Sequence, residues 1–129
     1  MDELEFYDGA YTGPQIDAAI AKVNALPAAS YTLGGVRFTF RKYGRIVVVG
    51  TYGSNTDQLA TNAWLGGTTA AVASDFLPLE AEVRYEQITG TVTAQFNLAS
   101  DGTFRAGLPS ATLAAGTNWR GTFTYVSAS

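Results

Sequence analysis

The chain has 129 residues, a formal net charge of −3, and neither cysteine nor histidine. Its eight Lys and Arg residues form no basic run, so we expect neither nucleic acid nor an anionic membrane surface as a partner. Without histidine and cysteine, the chain lacks the commonest general base and the commonest metal ligands. We therefore expect a protein that is not an enzyme, with no catalytic, cofactor-binding or metal-binding residue. Only 15% of the residues are charged, which favours a surface partly covered in an oligomer.

The N-terminal segment, residues 1–11, is predicted to form a short extended arm. Its first residues, Met1–Glu5, are acidic and lack the positive and apolar regions of a secretory signal. No apolar stretch in the sequence approaches the roughly 20 residues needed to cross a bilayer. Membrane insertion is therefore not expected.

Residues 12–26 carry the one convincing helical pattern of the chain. Thr12 or Gly13 can cap the first turn, and Pro14 lies where a first-turn proline is tolerated. Pro27 ends the helix, because a residue before proline avoids the helical conformation. A helix of this length is marginal on its own in water, so we expect its apolar stripe to be buried.

The stripe of this helix consists of Ile16, Ile20 and Val23. Its spacing of four and then three residues is typical of a coiled-coil seam, and equally of an amphipathic helix that packs on a sheet. Two interpretations therefore remain open. The stripe is either buried on its own domain or forms a trimer interface around a three-fold axis.

After a short linker predicted at residues 28–30, the pattern changes from helical to alternating. Val36, Phe38 and Phe40 alternate with polar residues, which predicts a strand with one buried face. The run Ile46–Val49 is apolar throughout and is typical of a strand covered on both faces. These two strands are predicted to form a hairpin.

Alternation returns in the C-terminal half of the chain. Val83 and Tyr85 alternate with Glu82 and Glu86, and the two carboxylates are predicted to lie on the solvated face of their strand. The pair Asp101–Gly102 is a strong hairpin signal between two further strands. A final alternating strand precedes the C-terminus.

Together these elements predict a mainly β fold: an antiparallel β-sandwich, jelly-roll-like, preceded by one short α-helix. Residues 1–30 are expected to form an N-terminal arm and helix for trimerisation or attachment. Residues 31–129 are expected to form the β-sandwich head.

Two tryptophans are the main candidates for surface recognition. Trp64 lies in the irregular segment between residues 50 and 74, with a short strand predicted around it, and Trp119 precedes the last strand. An exposed aromatic ring is a surface on which a sugar ring or a protein partner can pack. Tyr52 and Asn55 give a similar but weaker signal. The alternative interpretation is that the tryptophans belong to the core or to a trimer interface.

Five stretches of the chain, in this order, resemble tail-associated proteins of bacteriophages. They are Tyr11–Val23, Arg41–Gly50, Phe76–Pro78, Ala99–Phe104 and Gly121–Val126. The first stretch resembles the family's segment that precedes the distal domain, and the second resembles a hairpin of the family. The third resembles a segment with a Leu-Pro pair, the fourth a late aspartate-glycine hairpin, and the fifth the closing strand.

The resemblance implies a homotrimeric tail fibre tip or receptor-binding head of a phage or prophage particle. Its expected partners are two further copies of itself, a host-surface glycan or protein, and other tail proteins through the N-terminal arm. The expected location is the virion tail, after assembly in the bacterial cytoplasm. Two alternatives remain open: a purely structural decoration protein of the particle, and a carbohydrate-binding module of a secreted protein.

Overall fold

The computed structural model describes residues 12–129, so the arm predicted at residues 1–11 lies outside the described residues. Helix α1 spans Gly13–Asn24 and begins with a capping box. The backbone N–H of Thr12 donates to Oε1 of Gln15 at 2.8 Å, and the N–H of Gln15 donates to Oγ1 of Thr12 at 3.2 Å. Thr12 is therefore the N-cap, and the helix ends two residues earlier than expected.

The side chains of α1 that the structure describes are exposed along the helix. Ile16 and Ile20 are 47% and 52% exposed. Val23 lies within α1, but its side chain is outside the described residues. The described part of the stripe is thus not buried on its own sandwich. Within residues 12–129, no helix is long and apolar enough to cross a membrane.

The remaining described residues form two antiparallel four-stranded sheets that face each other. The strands in chain order are β1 (Ala28–Leu33), β2 (Val36–Tyr43), β3 (Ile46–Gly53), β4 (Ala70–Ala71), β5 (Glu82–Thr89), β6 (Val92–Leu98), β7 (Thr103–Gly107) and β8 (Thr122–Val126). The first sheet has the order β1-β2-β3-β8 and the second the order β4-β7-β6-β5. The predicted fold class, an antiparallel β-sandwich preceded by one short helix, is confirmed.

Both predicted hairpins are confirmed. Strands β2 and β3 pair in antiparallel register, as do β6 and β7. In the second hairpin, Oδ1 of Asp101 accepts a hydrogen bond from the backbone N–H of Thr103 at 2.9 Å. This bond favours the ionised carboxylate and lowers the pKa of Asp101.

The core between the sheets is built largely from aromatic rings. Phe38 lies at its centre and meets Phe96, Phe104 and Trp119 edge to face, with ring centroids 5.7, 5.1 and 6.5 Å away. Aromatic pairs in this geometry contribute attraction beyond their buried area. The alternation in β2 that predicted one buried face therefore identified the central residue of the core.

The linker predicted at residues 28–30 is wrong, because these residues are the beginning of β1. Ala28 lies opposite Arg41 and Ser30 opposite Thr39 in the first sheet. The hydroxyls of Ser30 and Thr39 are 2.9 Å apart across the two strands. The sandwich therefore begins at Ala28 rather than at residue 31.

The prediction that the run Ile46–Val49 is covered on both faces is also wrong for the single chain. Val47 and Val49 are fully buried between the sheets, whereas Ile46 is 45% exposed on the outer face. The next outward residue, Val48, is half-buried. Within the described residues, no second layer covers the outer face of the first sheet.

The alternation predicted for β5 is present, but its faces are inverted. Val83 and Tyr85 point outward and are 51% and 69% exposed. Glu82 lies opposite Leu98 and Glu86 opposite Ala94, and both of these partners are buried. The two carboxylates therefore lie on the inner side of β5, at the open edge between the sheets. Glu82 forms an ion pair there with Arg84.

Candidate functional site

Two of the four candidate recognition residues lie in the interior. Trp119 is 2% exposed and Asn55 is 1% exposed, and their side chains are hydrogen-bonded to each other. Trp119 also contacts the rings of Phe38 and Phe96. Both side chains therefore help to hold the core, and Trp119 also lines a cleft beside Tyr52.

Tyr52 is on the surface, at the outer face of the first sheet. It is 71% exposed and lies opposite Arg37 in the adjacent strand. The guanidinium carbon of Arg37 is 5.4 Å from the centroid of the Tyr52 ring, within cation–π range. Tyr52 lines a cleft of about 490 Å³ at this end of the sheet, but Arg37 does not.

Trp64 is held at the edge of the second sheet by a close approach of two backbones. It forms a single β-bridge with Gly107 at the end of β7, which replaces the short strand predicted around it. The backbone N–H of Leu108 donates to the carbonyl of Ala63 at 2.8 Å. A Cβ atom at Gly107 would lie 2.6 Å from that carbonyl oxygen and 2.7 Å from Cα of Trp64. Only glycine therefore lets the irregular segment dock against β7.

The indole of Trp64 is half-buried and carries an arginine on its face. The guanidinium carbon of Arg105 is 3.9 Å from the Trp64 ring centroid, a close cation–π contact. Arg105 points outward from β7, because its neighbours in the strand are buried. The tryptophan and the arginine thus fix each other on the outer face of the second sheet.

A row of side chains continues from Arg105 across this sheet. Arg105 lies opposite Asn97 on β6, and Asn97 lies opposite Val83 on β5. Beside this row, Nε2 of Gln95 donates to the hydroxyl of Tyr85 at 3.0 Å. We call the five residues Trp64, Val83, Tyr85, Asn97 and Arg105 the Trp64–Arg105 face.

Two clefts flank Arg105. One of about 290 Å³ is bounded by Val83, Asn97, Thr69 and Thr103, and the other, of about 410 Å³, lies on the Trp64 side. Arg105 lines both clefts. An apolar surface with a few polar groups that converge on it is the usual composition of a ligand site.

The chemistry available at this face is that of binding. Arginine, asparagine, threonine and tyrosine supply hydrogen bonds, and Trp64 supplies an aromatic surface. Among the described residues, no group of three or more Asp and Glu side chains could hold a metal ion.

Sequence reasoning identified Trp64 but missed the rest of the Trp64–Arg105 face. Val83 and Tyr85 were assigned to the inner side of β5, although an exposed aromatic is itself a signal of recognition. Nothing in the sequence marks Asn97 or Arg105, because their proximity to Trp64 depends on strand pairing and on the docking of the irregular segment.

Comparisons with known proteins find a likeness among solved structures. No protein-family model and no curated protein matches the sequence. The fold is similar to the crystal structure of the receptor binding protein (gp15) of Listeria phage PSA, with a TM-score of 0.41 and 14% sequence identity. The alignment covers 94% of this chain and 83% of that chain.

Proposed function

We propose that the protein is a tail-associated structural protein of a bacteriophage or prophage, and that it is a receptor-binding head that adheres to the host cell surface. The phage association is supported by the five ordered stretches of sequence resemblance. In this proposal the protein is assembled in the bacterial cytoplasm, works in the virion tail and catalyses no reaction.

The observation that carries adhesion is the Trp64–Arg105 face. It combines a half-buried indole, a stacked guanidinium and an exposed tyrosine on one side of the sandwich. Tryptophan, tyrosine and arginine are the residues most enriched at the energetic centres of interfaces. Aromatic groups that stay exposed to water are unfavourable and do not stabilise the core of the domain. Their exposure therefore favours a partner that covers them.

A homotrimer is supported by the exposure of α1. The helix has 12 residues and is about 18 Å long, too short to be stable alone in water. Ile16 and Ile20 lie on one side of it and are about half exposed. Three copies of the helix around one axis would bury both side chains together with Val23. The arm at residues 1–11 is then free to attach the trimer to other tail proteins.

Assembly is tested by the mass of the protein in solution, measured by size-exclusion chromatography with light scattering. We expect a mass of three chains for the wild type and of one chain for Ile20→Asp. Ala18→Asp is the matched control, because it places the same residue on the opposite side of α1. A monomeric wild type, or a trimeric Ile20→Asp variant, would contradict the proposal that the apolar stripe of α1 forms the trimer interface.

Adhesion is tested by the binding of fluorescently labelled protein to a panel of bacterial strains. We expect the wild type to decorate at least one strain and Trp64→Ala to lose that binding while keeping its melting temperature within a few degrees. Tyr52→Ala, on the opposite sheet, is the control and should bind as the wild type does. A trimer that decorates no strain would favour a structural decoration protein. A monomer that binds free sugars would favour a carbohydrate-binding module.

A further inference from the structure

We infer that the Trp64–Arg105 face binds its ligand through an oxyanion, a carboxylate or a phosphate group, which the guanidinium of Arg105 holds. The ligand's biological source rests on the proposed adhesion function. The inference that the ligand carries an oxyanion does not depend on that function, because it follows from the side chains of the Trp64–Arg105 face. A sugar ring that bears such a group combines the charge with a surface for the indole.

Arg105 has hydrogen-bond donors to offer a ligand. A guanidinium carries five N–H donors in its plane, and the cation–π contact with Trp64 uses none of them in a hydrogen bond. Within residues 12–129, the guanidinium of Arg105 forms neither a hydrogen bond nor an ion pair. The fork that recognises carboxylate and phosphate in a bidentate manner is therefore available and already oriented.

The cleft of about 290 Å³ beside Arg105 has a composition that favours an anionic ligand. Glu82 is the acidic residue among those that line it, and its carboxylate is paired with Arg84 on the inner side of β5. The cleft thus offers a cation whose own charge is not neutralised by a neighbour. An oxyanion that enters it meets an attractive potential rather than a competing acid.

An unsatisfied hydrogen-bond acceptor lies next to the guanidinium of Arg105. Oδ1 of Asn97 is buried and has no hydrogen-bond partner within the described chain. Asn97 is the cross-strand neighbour of Arg105 and lines the same cleft. A buried acceptor without a donor is costly, so a ligand hydroxyl or amide that donates to this oxygen, once the amide of Asn97 turns it towards the cleft, would be favoured. The ligand therefore carries a donor close to its oxyanion, as an acidic sugar does.

The first sheet supplies an internal comparison. Arg37 also lies over an aromatic ring, that of Tyr52, but at 5.4 Å and outside the cleft that Tyr52 lines. Arg37 thus has the residue type and the cation–π contact of Arg105, but it does not line a cleft as Arg105 does. Arg37→Gln is therefore the matched control for Arg105→Gln.

The experiment uses the full chain labelled with ¹⁵N, titrated with glucuronate, glucose 6-phosphate and glucose in turn. The three probes share one ring and differ at carbon 6, which bears a carboxylate, a phosphate or a neutral hydroxymethyl group. We expect the indole signal of Trp64 and the side-chain signals of Arg105 and Asn97 to shift with at least one anionic probe and not with glucose. Arg105→Gln should weaken that binding by about tenfold or more, and Arg37→Gln should leave it unchanged.

The results distinguish a failure of the oxyanion inference from a failure of the adhesion proposal. Equal shifts with glucose, or equal binding by Arg105→Gln, would overturn the oxyanion inference. Equal losses in Arg37→Gln would show general anion attraction and overturn it too. Arg105→Lys keeps the charge but not the fork, so binding between that of the wild type and Arg105→Gln supports bidentate recognition. If Arg105→Gln still decorates cells while Trp64→Ala does not, the inference fails and adhesion stands. If anions bind but no strain is decorated, adhesion fails and the oxyanion site stands.

Discussion

The indole Nε1 of Trp119 donates a hydrogen bond to Oδ1 of Asn55 at 3.1 Å, in the interior of the protein. The amide nitrogen of Asn55 donates to the carbonyls of Asp57 at 2.8 Å and Ala114 at 3.0 Å. One buried side chain thus satisfies three groups and ties the segment after β3 to the segment before β8. This explains why two residues with the composition of a binding site belong to the core.

The first prediction concerns this connection. Asn55→Ala leaves the indole N–H of Trp119 and the carbonyl of Asp57 without partners, while the carbonyl of Ala114 keeps its hydrogen bond from Oγ1 of Thr117, so we expect the free energy of unfolding to fall by about 3 kcal/mol. Urea denaturation monitored by tryptophan fluorescence measures the change. Tyr52→Ala, three residues earlier and exposed, should change it by less than about 0.5 kcal/mol. A stable Asn55→Ala variant that loses only cell binding would show instead that Asn55 contacts a receptor.

The second prediction compares two glycines that differ in their surroundings. A Cβ at Gly107 meets the carbonyl of Ala63 at 2.6 Å, whereas a Cβ at Gly50 meets nothing within 4 Å. We expect Gly107→Ala to destabilise the fold by about 2 kcal/mol through overpacking. Gly50→Ala should leave the stability unchanged or raise it by up to about 1 kcal/mol, because it restricts the unfolded chain.

Thermal unfolding of the two glycine variants checks this difference. Gly107→Ala should also change the intensity or the wavelength of the Trp64 fluorescence, since the segment that carries Trp64 must move away from β7. Equal melting temperatures for the two variants would show that the bridge between Trp64 and Gly107 is not fixed in solution.

The third prediction concerns stability at alkaline pH. Burial, followed by the charges of Tyr31 and Glu82, raises the pKa of Tyr125, whose hydroxyl donates to the carbonyl of Phe76 at 2.6 Å. A raised pKa in the folded state means that the folded protein holds its proton longer than the unfolded chain does. This contribution is complete below about pH 10 and is lost as the pH rises through the folded pKa.

Tyr125→Phe removes both the hydroxyl and its titration. We expect this variant to be about 1 kcal/mol less stable than the wild type at neutral pH, since the carbonyl of Phe76 loses its donor. Above about pH 10 the difference should shrink, because only the wild type loses stability through this group. Denaturation midpoints measured from pH 7 upward test it, and parallel curves for the two proteins would contradict it.

The fourth prediction concerns the hairpin between β6 and β7. The hydrogen bond from Thr103 lowers the pKa of Asp101, so its stabilising effect is present above the ordinary carboxyl pKa and is lost as the pH falls below it. Asp101→Asn keeps an acceptor and should retain the stability of the wild type at neutral pH with a weaker dependence on acid. Asp101→Ala lacks the acceptor and should be the less stable variant at neutral pH. Acid titration of the three proteins by circular dichroism measures the order.

Much of the fold could be predicted from local pattern. Alternation in β2 identified Phe38 and Phe40 as buried, and Asp101–Gly102 predicted the turn between β6 and β7. These features depend on neighbours in sequence, because the two-residue period of a strand and the conformational demands of a tight turn are local. The capping box of α1 belongs to the same class.

The candidate site could be predicted only in part, because alternation gives two faces of a strand without saying which one is inside. In β5 that choice follows from the partner strand, where Glu82 meets buried Leu98, and from the open edge at which its carboxylate reaches Arg84. The two tryptophans have similar sequence surroundings and opposite positions. Trp119 lies among aromatic rings of both sheets, and Trp64 lies outside the second sheet.

The sequence by itself thus determined the helix, the hairpins and the β-sandwich class, since each is indicated by patterns among residues close along the chain. The tertiary structure alone decided which faces are buried and which residues surround Trp64. Arg105 meets that indole from 41 positions away, through a backbone approach that Gly107 permits. Contacts of this kind depend on the packing of whole segments, which no local period encodes.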